Sequence, residues 1–327
     1  MPDVSFLIAA FNAEHTLEAA VASALAQRDV TVEVIIVDDV SRDGTLSKAR
    51  ELARNEPRLE VLAQQRNMGP AAARNRALAT ARGDWIAILD ADDYLAPERS
   101  RTLVALAQER GSQIVADNLV RFRDDAPEIV WPLLPQRHDD VPYDVDLVDY
   151  LNCNRMTGGD STLGYLKPMF SGEFLRENGV IYEEGLHIGE DFNFVLKALC
   201  AGARFTIAPH TFYFYRAVTG SLSRRLSAAD IERLAAANDS LLDERRMEPG
   251  LRRAAAAYRR AAWDLAAYCE FRAAVGQRQW RAALERATAP RLWGTMAQML
   301  AHAARRKRAQ RLAAGQAMGA QRRHQQG

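Results

Sequence analysis

Cysteine is scarce in this chain of 327 residues, and its three copies, Cys153, Cys200 and Cys269, lie far apart. An odd number of cysteines without a CxxC pair favours neither a disulfide framework nor a zinc site. The N-terminus lacks the basic region of a secretory signal peptide, and Asn12 and Glu14 interrupt its apolar run. No window holds the roughly 20 apolar residues that a membrane-spanning helix needs. A reducing cytoplasm is therefore the expected location.

Three motifs that bind phosphates or carry a nucleophile are also missing. There is no GxxxxGK[ST] loop, no GxGxxG after the first apolar run and no GxSxG turn. These absences weaken the kinase-like, dinucleotide-binding and hydrolase interpretations. The segment AAFNAEH after the first run has no glycine, so a pyrophosphate cannot approach the backbone closely there. Another group has to neutralise any phosphates that bind.

The net charge of +1 hides a separation of charge along the chain. Residues 250–327 carry 16 Lys and Arg against 3 Asp and Glu, which leaves 27 against 39 for residues 1–249. The acidic body argues against a general nucleic-acid binder, and no nucleic-acid partner is expected. The basic tail suggests an anionic surface nearby, a membrane or another one.

Short β-branched runs alternate with helical stretches over the first 120 residues. This order predicts βαβ units and an α/β fold with a mostly parallel, buried central sheet. Residues 123–150 are rich in turn formers and indicate a long loop or a crossing between subdomains. A helix is predicted from about Asp191 to Ala201, then an aromatic strand at HTFYFYR, and helices from Ser227 onward with a break at Pro249 and Gly250.

Acidic residues follow two of the predicted strands, where ligands bind in parallel sheets. Asp90 and Asp92 are two residues apart on an extended segment, so their carboxylates point the same way. Paired oxygens at a strand end suit a hard cation such as Mg²⁺ or Mn²⁺, which would neutralise a departing diphosphate. A plain turn, with Asp93 as the cap of the next helix, accounts for this short motif as well.

Asp38 and Asp39 end the earlier strand. One carboxylate is expected to accept hydrogen bonds from a nucleobase N–H or a ribose hydroxyl. For Asp38 a turn role is the favoured interpretation. Further along, RNMGPAAARNRA places Arg74 and its neighbours near a helix start at Gly69, where free N–H groups attract an anion. An arginine there supports either the aspartates or donor phosphates, while Arg76 is equally well explained by a solvated helix face.

Glu190 and Asp191 follow Gly189 at the start of a helix. The helix N-terminus stabilises a carboxylate in its charged form, so it can accept a proton from an acceptor hydroxyl. An isolated GED is also explained by an ordinary N-cap. A loop follows the aromatic strand: it starts at Arg216 and continues with AVTGSLSRR, which carries Arg224 and Arg225. This loop either folds over a diphosphate or exposes its arginines to solvent.

Taken in order, VSFLIAAFN, VIIVDDVSRDGT, RNMGPAAARNRALATARGDWIAILDADD, GED and YRAVTGSLS resemble the family 2 inverting glycosyltransferases, which have the GT-A fold. These weak motifs occur in the right order and separation over about residues 3–225. The resemblance is closest in character to bacterial enzymes that build exopolysaccharide repeat units, the succinoglycan type included.

The resemblance implies a nucleoside-diphosphate sugar, usually UDP-linked, as the donor. Phe11 would lie near the base, Asp39 would bond to it and Asp90 would contact the ribose. The implied donor-binding set is Phe11, Asp39, Asn67, Gly69, Arg74, Asp90 and Arg216.

The same resemblance implies the chemistry. The metal, Mg²⁺ or Mn²⁺, would be held by Asp92 with Asp90. Asp191, with Glu190 beside it, would deprotonate the acceptor for a single in-line displacement that inverts the anomeric carbon. The expected acceptor is a glycan or a lipid-linked oligosaccharide.

The implied catalytic domain covers residues 1–226, with a nucleotide-sugar half at 1–120 and an acceptor half at 121–226. A basic helical region follows at 227–327, and its end is predicted to be disordered. QRQW at 277–280 does not match the QxxRW motif of processive synthases, so a single-addition enzyme is expected.

The basic region contains an apolar pattern typical of a helix on a membrane surface, which would place the enzyme peripherally on the inner face of the cell membrane. A helix packed on the domain explains the pattern equally well. The apolar residues are Trp280, Leu284, Trp293, Met296 and Leu300, followed by Arg305, Arg306, Lys307 and Arg308.

Two other functions remain open at this point. A nucleotidyltransferase would share the layout and the metal, but it needs a Gly-rich basic loop where this chain has AAFNAEH. A catalytically inactive relative that binds a sugar or nucleotide would keep the same motifs. Exchanging Asp191 for Asn discriminates this case, since it should abolish transfer and leave donor binding intact.

Overall fold

The structure is a computed structural model that describes residues 1–124, 126–134, 141–155, 163–217, 227–242, 247–288, 292–297 and 301. The chain divides into two compact units. The first comprises Met1–Arg121, Pro132–Leu147 and Gly164–Arg216, and the second comprises Phe122–Trp131, Val148–Leu163 and Ala217–Gly327. Among the described helices, none combines the length and apolar character needed to cross a bilayer. The domain boundary after residue 226 stays a prediction.

Parallel βα repeats open the first unit. Its elements are β1 (Val4–Ala10), α1 (Leu17–Leu25), β2 (Val32–Asp38), α2 (Thr45–Ala53), β3 (Leu59–Ala63), α3 (Gly69–Thr80) and β4 (Trp85–Ile88). β1 pairs in parallel with β2 on one side and β4 on the other, and β3 pairs in parallel with β2. β1 and β2 are almost entirely buried, as expected for strands whose crossover helices cover the sheet.

The chain continues with strands of two to twelve residues. The elements are β5 (Tyr94–Leu95), α4 (Arg99–Arg110), β6 (Ile114–Arg123), β7 (Ala126–Pro132), β8 (Tyr143–Val145), α5 (Leu147–Cys153), a 3₁₀ turn (Leu163–Tyr165), β9 (Met169–Ser171), α6 (Gly172–Glu177), α7 (Glu190–Cys200) and β10 (Phe205–Arg216). The sheet has the order β3-β2-β1-β4-β9-β6-β10-β5. β9 is antiparallel to β4 and β6, and β10 is antiparallel to β5 and β8.

The predicted α/β architecture is therefore confirmed, with the parallel strands β3, β2, β1 and β4 together on one side of the sheet. The loop predicted over 123–150 is wrong in part, because β7, β8 and the start of α5 lie within it. The reason is tertiary: β8 has only three residues and forms by pairing with β10, so its local sequence carries no strand signal of its own.

The second unit contains the helices predicted from residue 227. They are α8 (Ala228–Asp239), α9 (Pro249–Gly276) and α10 (Trp280–Ala287). Ser227 caps α8 by accepting a hydrogen bond from the Asp230 N–H at 3.2 Å. Pro249 begins α9, where its missing N–H costs nothing. α8 and α9 pack through small and aliphatic side chains: Ile231, Ala235, Ala262, Leu265, Ala266 and Cys269.

Large apolar side chains of this unit face solvent. Trp280 and Leu284, four residues apart on α10, are 60% and 70% exposed, and Trp293 is 56% exposed. An apolar face is therefore present on α10, as the pattern predicts. Leu300, the basic run 305–308, the loop arginines 224 and 225 and the predicted disordered end lie outside the described residues.

Candidate active site

Asp39, directly after β2, organises the segment that leads into α3. Its Oδ1 accepts hydrogen bonds from the Met68 N–H at 2.8 Å and from Gln64 Nε2 at 3.2 Å, and its Oδ2 accepts from the Gly69 N–H at 2.8 Å. Asn67 Nδ2 donates to the Asp39 carbonyl at 2.9 Å. Gly69 has φ +85°, a left-handed conformation that favours glycine. The structure thus brings together Asp39, Asn67 and Gly69.

Phe11 lies at the same edge of the sheet. It follows Ala10, whose carbonyl accepts from the Asp39 N–H at 2.9 Å, and it is 47% exposed. Asp38 Oδ2 accepts from the Ser41 N–H at 3.1 Å, so the turn role expected for Asp38 is confirmed. Its Oδ1 is buried and has no hydrogen-bond partner among the described residues. A buried acceptor without a partner suggests a ligand donor at this edge.

Three carboxylates follow β4. Asp90, Asp92 and Asp93 each offer an oxygen, and these oxygens lie within 4.8 Å of one another. Asp93 is buried and accepts from the Tyr213 hydroxyl and the Arg216 N–H, both at 2.8 Å. The expectation that Asp93 caps the next helix is wrong, because β5 intervenes and α4 begins at Arg99.

Three of the predicted site residues are joined by a closed ring of charges, which we call the charge ring and define as Arg74, Asp90, Lys167 and Asp191. Asp90 accepts from Arg74 Nη2 and pairs with Lys167 Nζ, both at 2.7 Å. Asp191 pairs with the same Lys167 Nζ at 2.7 Å and with Arg74 Nη1 at 3.0 Å. α3, the end of β4, the segment before β9 and α7 each supply one member.

The remaining contacts fix the start of α7. Glu190 accepts from Arg74 Nη1 at 3.0 Å, and the Tyr182 hydroxyl donates to Asp191 Oδ1 at 3.3 Å. The Tyr182 ring stacks on Phe194 with centroids 4.1 Å apart, which holds the hydroxyl in place. The two residues predicted to be catalytic therefore lie against Arg74 and beside Asp90.

Burial and charge separate the two aspartates of the DxD motif. Burial raises the pKa of Asp90, but Lys167 and Arg74 outweigh it and lower that pKa to about 2. Burial, and next the charge of Asp90, raise the pKa of Asp92 to about 6. Asp92 has no ion pair, and its carboxylate accepts no hydrogen bond from another residue in the described part of the chain. Of the two aspartates, Asp92 is thus the one that gains more from a cation.

The site as a whole is acidic. Five carboxylates face three cations, which gives a formal charge of −2 only when every group is ionised. Burial and neighbouring carboxylates raise the pKa of Asp93 well above its usual range and raise that of Glu190, so both favour the neutral form until a cation is near. The groups are Asp90, Asp92, Asp93, Glu190 and Asp191 against Arg74, Lys167 and Arg216. A divalent cation carries the charge that balances this set.

Two other arginines considered in the sequence, Arg216 and Arg76, make different contacts. Arg216, at the end of β10, donates through Nε to the Asp92 carbonyl at 2.7 Å, so it lies beside the acidic cluster. Arg76 donates to the Ala63 carbonyl at 2.7 Å and makes no contact with the aspartates among the described residues. A cavity of about 560 Å³ lies next to it, lined by Ala63, Gln64, Gln65, Arg66, Met68 and Arg76. The sequence prediction did not include Lys167 or Tyr182.

Comparisons with known proteins identify the class. The model of the family described as Glycosyl transferase family 2 matches residues 5–171. The succinoglycan biosynthesis protein ExoO of Rhizobium meliloti (strain 1021) is 38% identical over 248 residues, which cover 74% of this chain and 68% of the relative. ExoU of the same strain is 37% identical over 243 residues, 73% and 69% of the two chains. The chain belongs to glycosyltransferase family 2, and it is a glycosyltransferase.

A solved structure supports the fold. The structure of S. aureus TarS 1-349 in complex with UDP-GlcNAc superposes with a TM-score of 0.67 at 20% sequence identity, covering 86% of this chain and 79% of that chain. The chain thus has the GT-A fold that its sequence predicts. The resemblance to family 2 on which the expected site residues rest is confirmed as well.

Proposed function

We propose that this glycosyltransferase moves a sugar from a UDP-sugar onto a hydroxyl of a glycan or lipid-linked oligosaccharide, with inversion and with the help of Mg²⁺ or Mn²⁺. The charge ring carries the proposal. Arg74 and Lys167 each pair both with the proposed base, Asp191, and with Asp90, the carboxylate assigned to the donor side. An acceptor hydroxyl and a donor sugar that react in line need their protein partners side by side in this way.

A divalent cation fits the end of β4. Asp92 is a carboxylate with no cation of its own, its pKa is raised to about 6, and the surrounding set has a formal charge of −2 when every group is ionised. Asp92 would be the principal ligand and Asp90 the second, since both oxygens of Asp90 are already paired with Arg74 and Lys167. The metal would neutralise the diphosphate as it leaves.

The donor would lie along the edge formed by the ends of β2 and β4. The exposed ring of Phe11 is available to stack on a base, and the buried Oδ1 of Asp38 is available to a donor group, with Asp39 holding the neighbouring loop. Uridine is the preferred nucleoside because a structural relative, TarS, was solved with UDP-GlcNAc. Arg216, next to Asp92, would contact the phosphates.

Asp191 would take the proton of the acceptor hydroxyl. It sits in the first turn of α7, where the helix dipole favours its ionised form, and Tyr182 fixes one of its oxygens. Glu190 would assist from the same turn. The acceptor is proposed to be an exopolysaccharide precursor, because two relatives are named for succinoglycan biosynthesis.

The same proposal includes contact with a membrane. The exposed Trp280 and Leu284 on α10 suit an interfacial helix, which would hold the enzyme on the inner face of the cell membrane near a lipid-linked acceptor. Sedimentation with vesicles containing anionic lipid tests this. Loss of binding in a Trp280→Ser, Leu284→Ser variant supports it, and no binding by the wild type contradicts it.

The central test is calorimetric titration with UDP, with and without Mn²⁺, followed by measurement of UDP release from UDP-glucose, UDP-galactose and UDP-N-acetylglucosamine. The wild type should bind UDP more tightly with Mn²⁺ and release UDP from at least one sugar. Asp191→Asn should keep the binding and lose the turnover. Binding without turnover in the wild type points to an inactive relative, and incorporation of a nucleoside triphosphate into a sugar phosphate points to a nucleotidyltransferase.

A further inference from the structure

Lys167 joins the two halves of the proposed site. Its side chain is only 8% exposed, and its Nζ lies 2.7 Å from Asp90 Oδ2 and 2.7 Å from Asp191 Oδ2. One ammonium therefore bridges the carboxylate on the donor side and the carboxylate on the acceptor side. No motif in the sequence and no other contact of the site assigns this residue a role.

The backbone of Lys167 is held independently of the charge ring. The Lys167 carbonyl accepts from Arg99 Nη2 at 2.5 Å, and Arg99 Nε donates to Asp117 Oδ1 at 2.9 Å. The side chains of Arg99 and Asp117 are 0% and 1% exposed. A buried ion pair of this kind is rigid, because moving either partner leaves an uncompensated charge. The backbone of Lys167 is thus fixed, and its side chain extends toward two carboxylates on other elements.

Lysine suits this bridge better than arginine. The chain has four lysines among its 43 basic residues, and one of them is buried at this point. An ammonium is a compact point charge that fits between two single oxygens, whereas a guanidinium presents a planar fork. Arg74 supplies that fork on the other side of the charge ring, with Nη1 on Asp191 and Nη2 on Asp90.

We propose that Lys167 is a positioning residue that ties the base carboxylate of Asp191 to the donor-side carboxylate of Asp90. This inference rests on the proposed function of the same site. Without the ammonium, Arg74 is the remaining bridge; Asp90 Oδ2 and Asp191 Oδ2 lose their shared partner and repel each other, so Asp191 moves away from the acceptor position. A displacement of about 1 Å in a reacting pair is enough to cost roughly 10²-fold in rate.

The test joins UDP release from the UDP-sugar that the wild type uses with a double-mutant cycle on thermal stability. Lys167→Met should lower kcat by about 10²-fold while the Kd for UDP with Mn²⁺ stays within about threefold. In an Asp191→Asn background, which has lost turnover, the exchange is followed by its shift in Tm, which should differ from the shift in the wild type because the two residues are paired. Lys167→Arg should not restore kcat. Lys197→Met, which removes a surface ion pair with Glu183, is the matched control and should keep full activity.

Two results overturn the inference. One is a loss of UDP affinity in Lys167→Met as large as its loss of kcat, and the other is a kcat that Lys167→Arg restores, which would make charge alone sufficient. If Lys167→Met does not fold, Lys167→Gln takes its place in the cycle. If the wild type releases UDP from no sugar, the proposed function fails instead. The cycle on thermal stability then still applies: non-additive shifts in Tm for the exchanges at 167 and 191 support the bridge, and additive shifts contradict it.

Discussion

The ends of β2 and β4 look alike in sequence and behave differently in the structure. Each is an apolar strand followed by adjacent or nearly adjacent aspartates. At the end of β2, Asp39 accepts hydrogen bonds from neutral backbone N–H groups and an amide. At the end of β4, Asp90 is paired with two cations, whereas Asp92 forms no ion pair with the described residues. The partners of the aspartates, rather than the aspartates themselves, distinguish the two strand ends, and the contact of Asp39 with a nucleobase stays a prediction.

The two aspartates at the end of β4 also differ from each other. Asp90 and Asp92 are two residues apart, yet the pKa of Asp90 is lowered to about 2 and that of Asp92 is raised to about 6. Neighbouring carboxylates with such different pKa values are typical of sites in which the two groups have different roles. Asp90 is a fixed anion that organises the charge ring, and Asp92 is an anion that gains most from a ligand.

Removing the charge of Asp90 should have the largest effect. Asp90→Asn leaves Lys167 and Arg74 each without one carboxylate in a mostly buried site, so the free energy of unfolding should fall by about 3 kcal/mol. Urea denaturation measures this. Asp29→Asn, which breaks an exposed pair with Arg101, is the control and should change stability by less than about 0.5 kcal/mol. Equal losses in the two variants would contradict the role given to the charge ring.

The two strand ends should differ in metal dependence. Asp92→Asn should remove the gain in UDP affinity that Mn²⁺ provides, a loss of about 100-fold, or about 2.7 kcal/mol. Asp39→Asn should keep the ratio of the two affinities, with and without Mn²⁺, because its carboxylate faces backbone donors. Calorimetry on both variants measures the ratio. If Asp39→Asn loses the gain in UDP affinity from Mn²⁺ and Asp92→Asn keeps that gain, the metal has been assigned to the wrong strand end.

Asp39→Asn should act on stability instead. An asparagine keeps one acceptor oxygen and turns an NH₂ toward the N–H of Met68 or Gly69, so one part-buried donor loses its acceptor. The expected cost is about 2 kcal/mol. Hydrogen exchange locates the effect: in the variant, the exchange rates of the amides of residues 68 and 69 should rise more than those in α4. Unchanged exchange at both amides would show that the carboxylate does not hold this loop.

Much of this arrangement follows from local sequence. The parallel strands, the helix starts at Gly69 and Glu190, and the acidic strand ends are visible as apolar runs, turn formers and charges at fixed spacing. Arg74 was expected to support either the aspartates or the donor phosphates, and it contacts the aspartates. Its place among the donor-binding residues stays a prediction.

Lys167 could not be found in the same way. It stands in YLKPMF with no motif around it, and its partners are 77 residues before it and 24 residues after it. Only the antiparallel insertion of β9 beside β4 brings it to Asp90. The short strand β8 was missed for the same reason, since both depend on pairing between distant segments. A lysine in an apolar segment of a chain with few lysines is the one local signal that was available.

The smallest expected effect is a pH dependence that separates the two strand ends again. Because the folded pKa of Asp92 is raised to about 6, the carboxylate takes up a proton as the pH falls through that value, and a metal must displace the proton. The apparent affinity for UDP with Mn²⁺ should therefore be constant above about pH 6 and fall by up to about tenfold per unit below it.

In the metal-free protein, ionisation of Asp92 is unfavourable, because it lowers the stability of the fold instead of aiding metal binding. A raised carboxyl pKa means that ionised Asp92 destabilises the fold, an effect that is absent below the unfolded value of 3.8 and complete above about 6. Asp92→Asn should thus raise Tm at pH 7 and leave it unchanged at pH 3. Asp39→Asn should lower Tm at pH 7. A fall in Tm at pH 7 for both variants would mean that Asp92, like Asp39, is satisfied by the protein itself, and the division between the two strand ends would not hold.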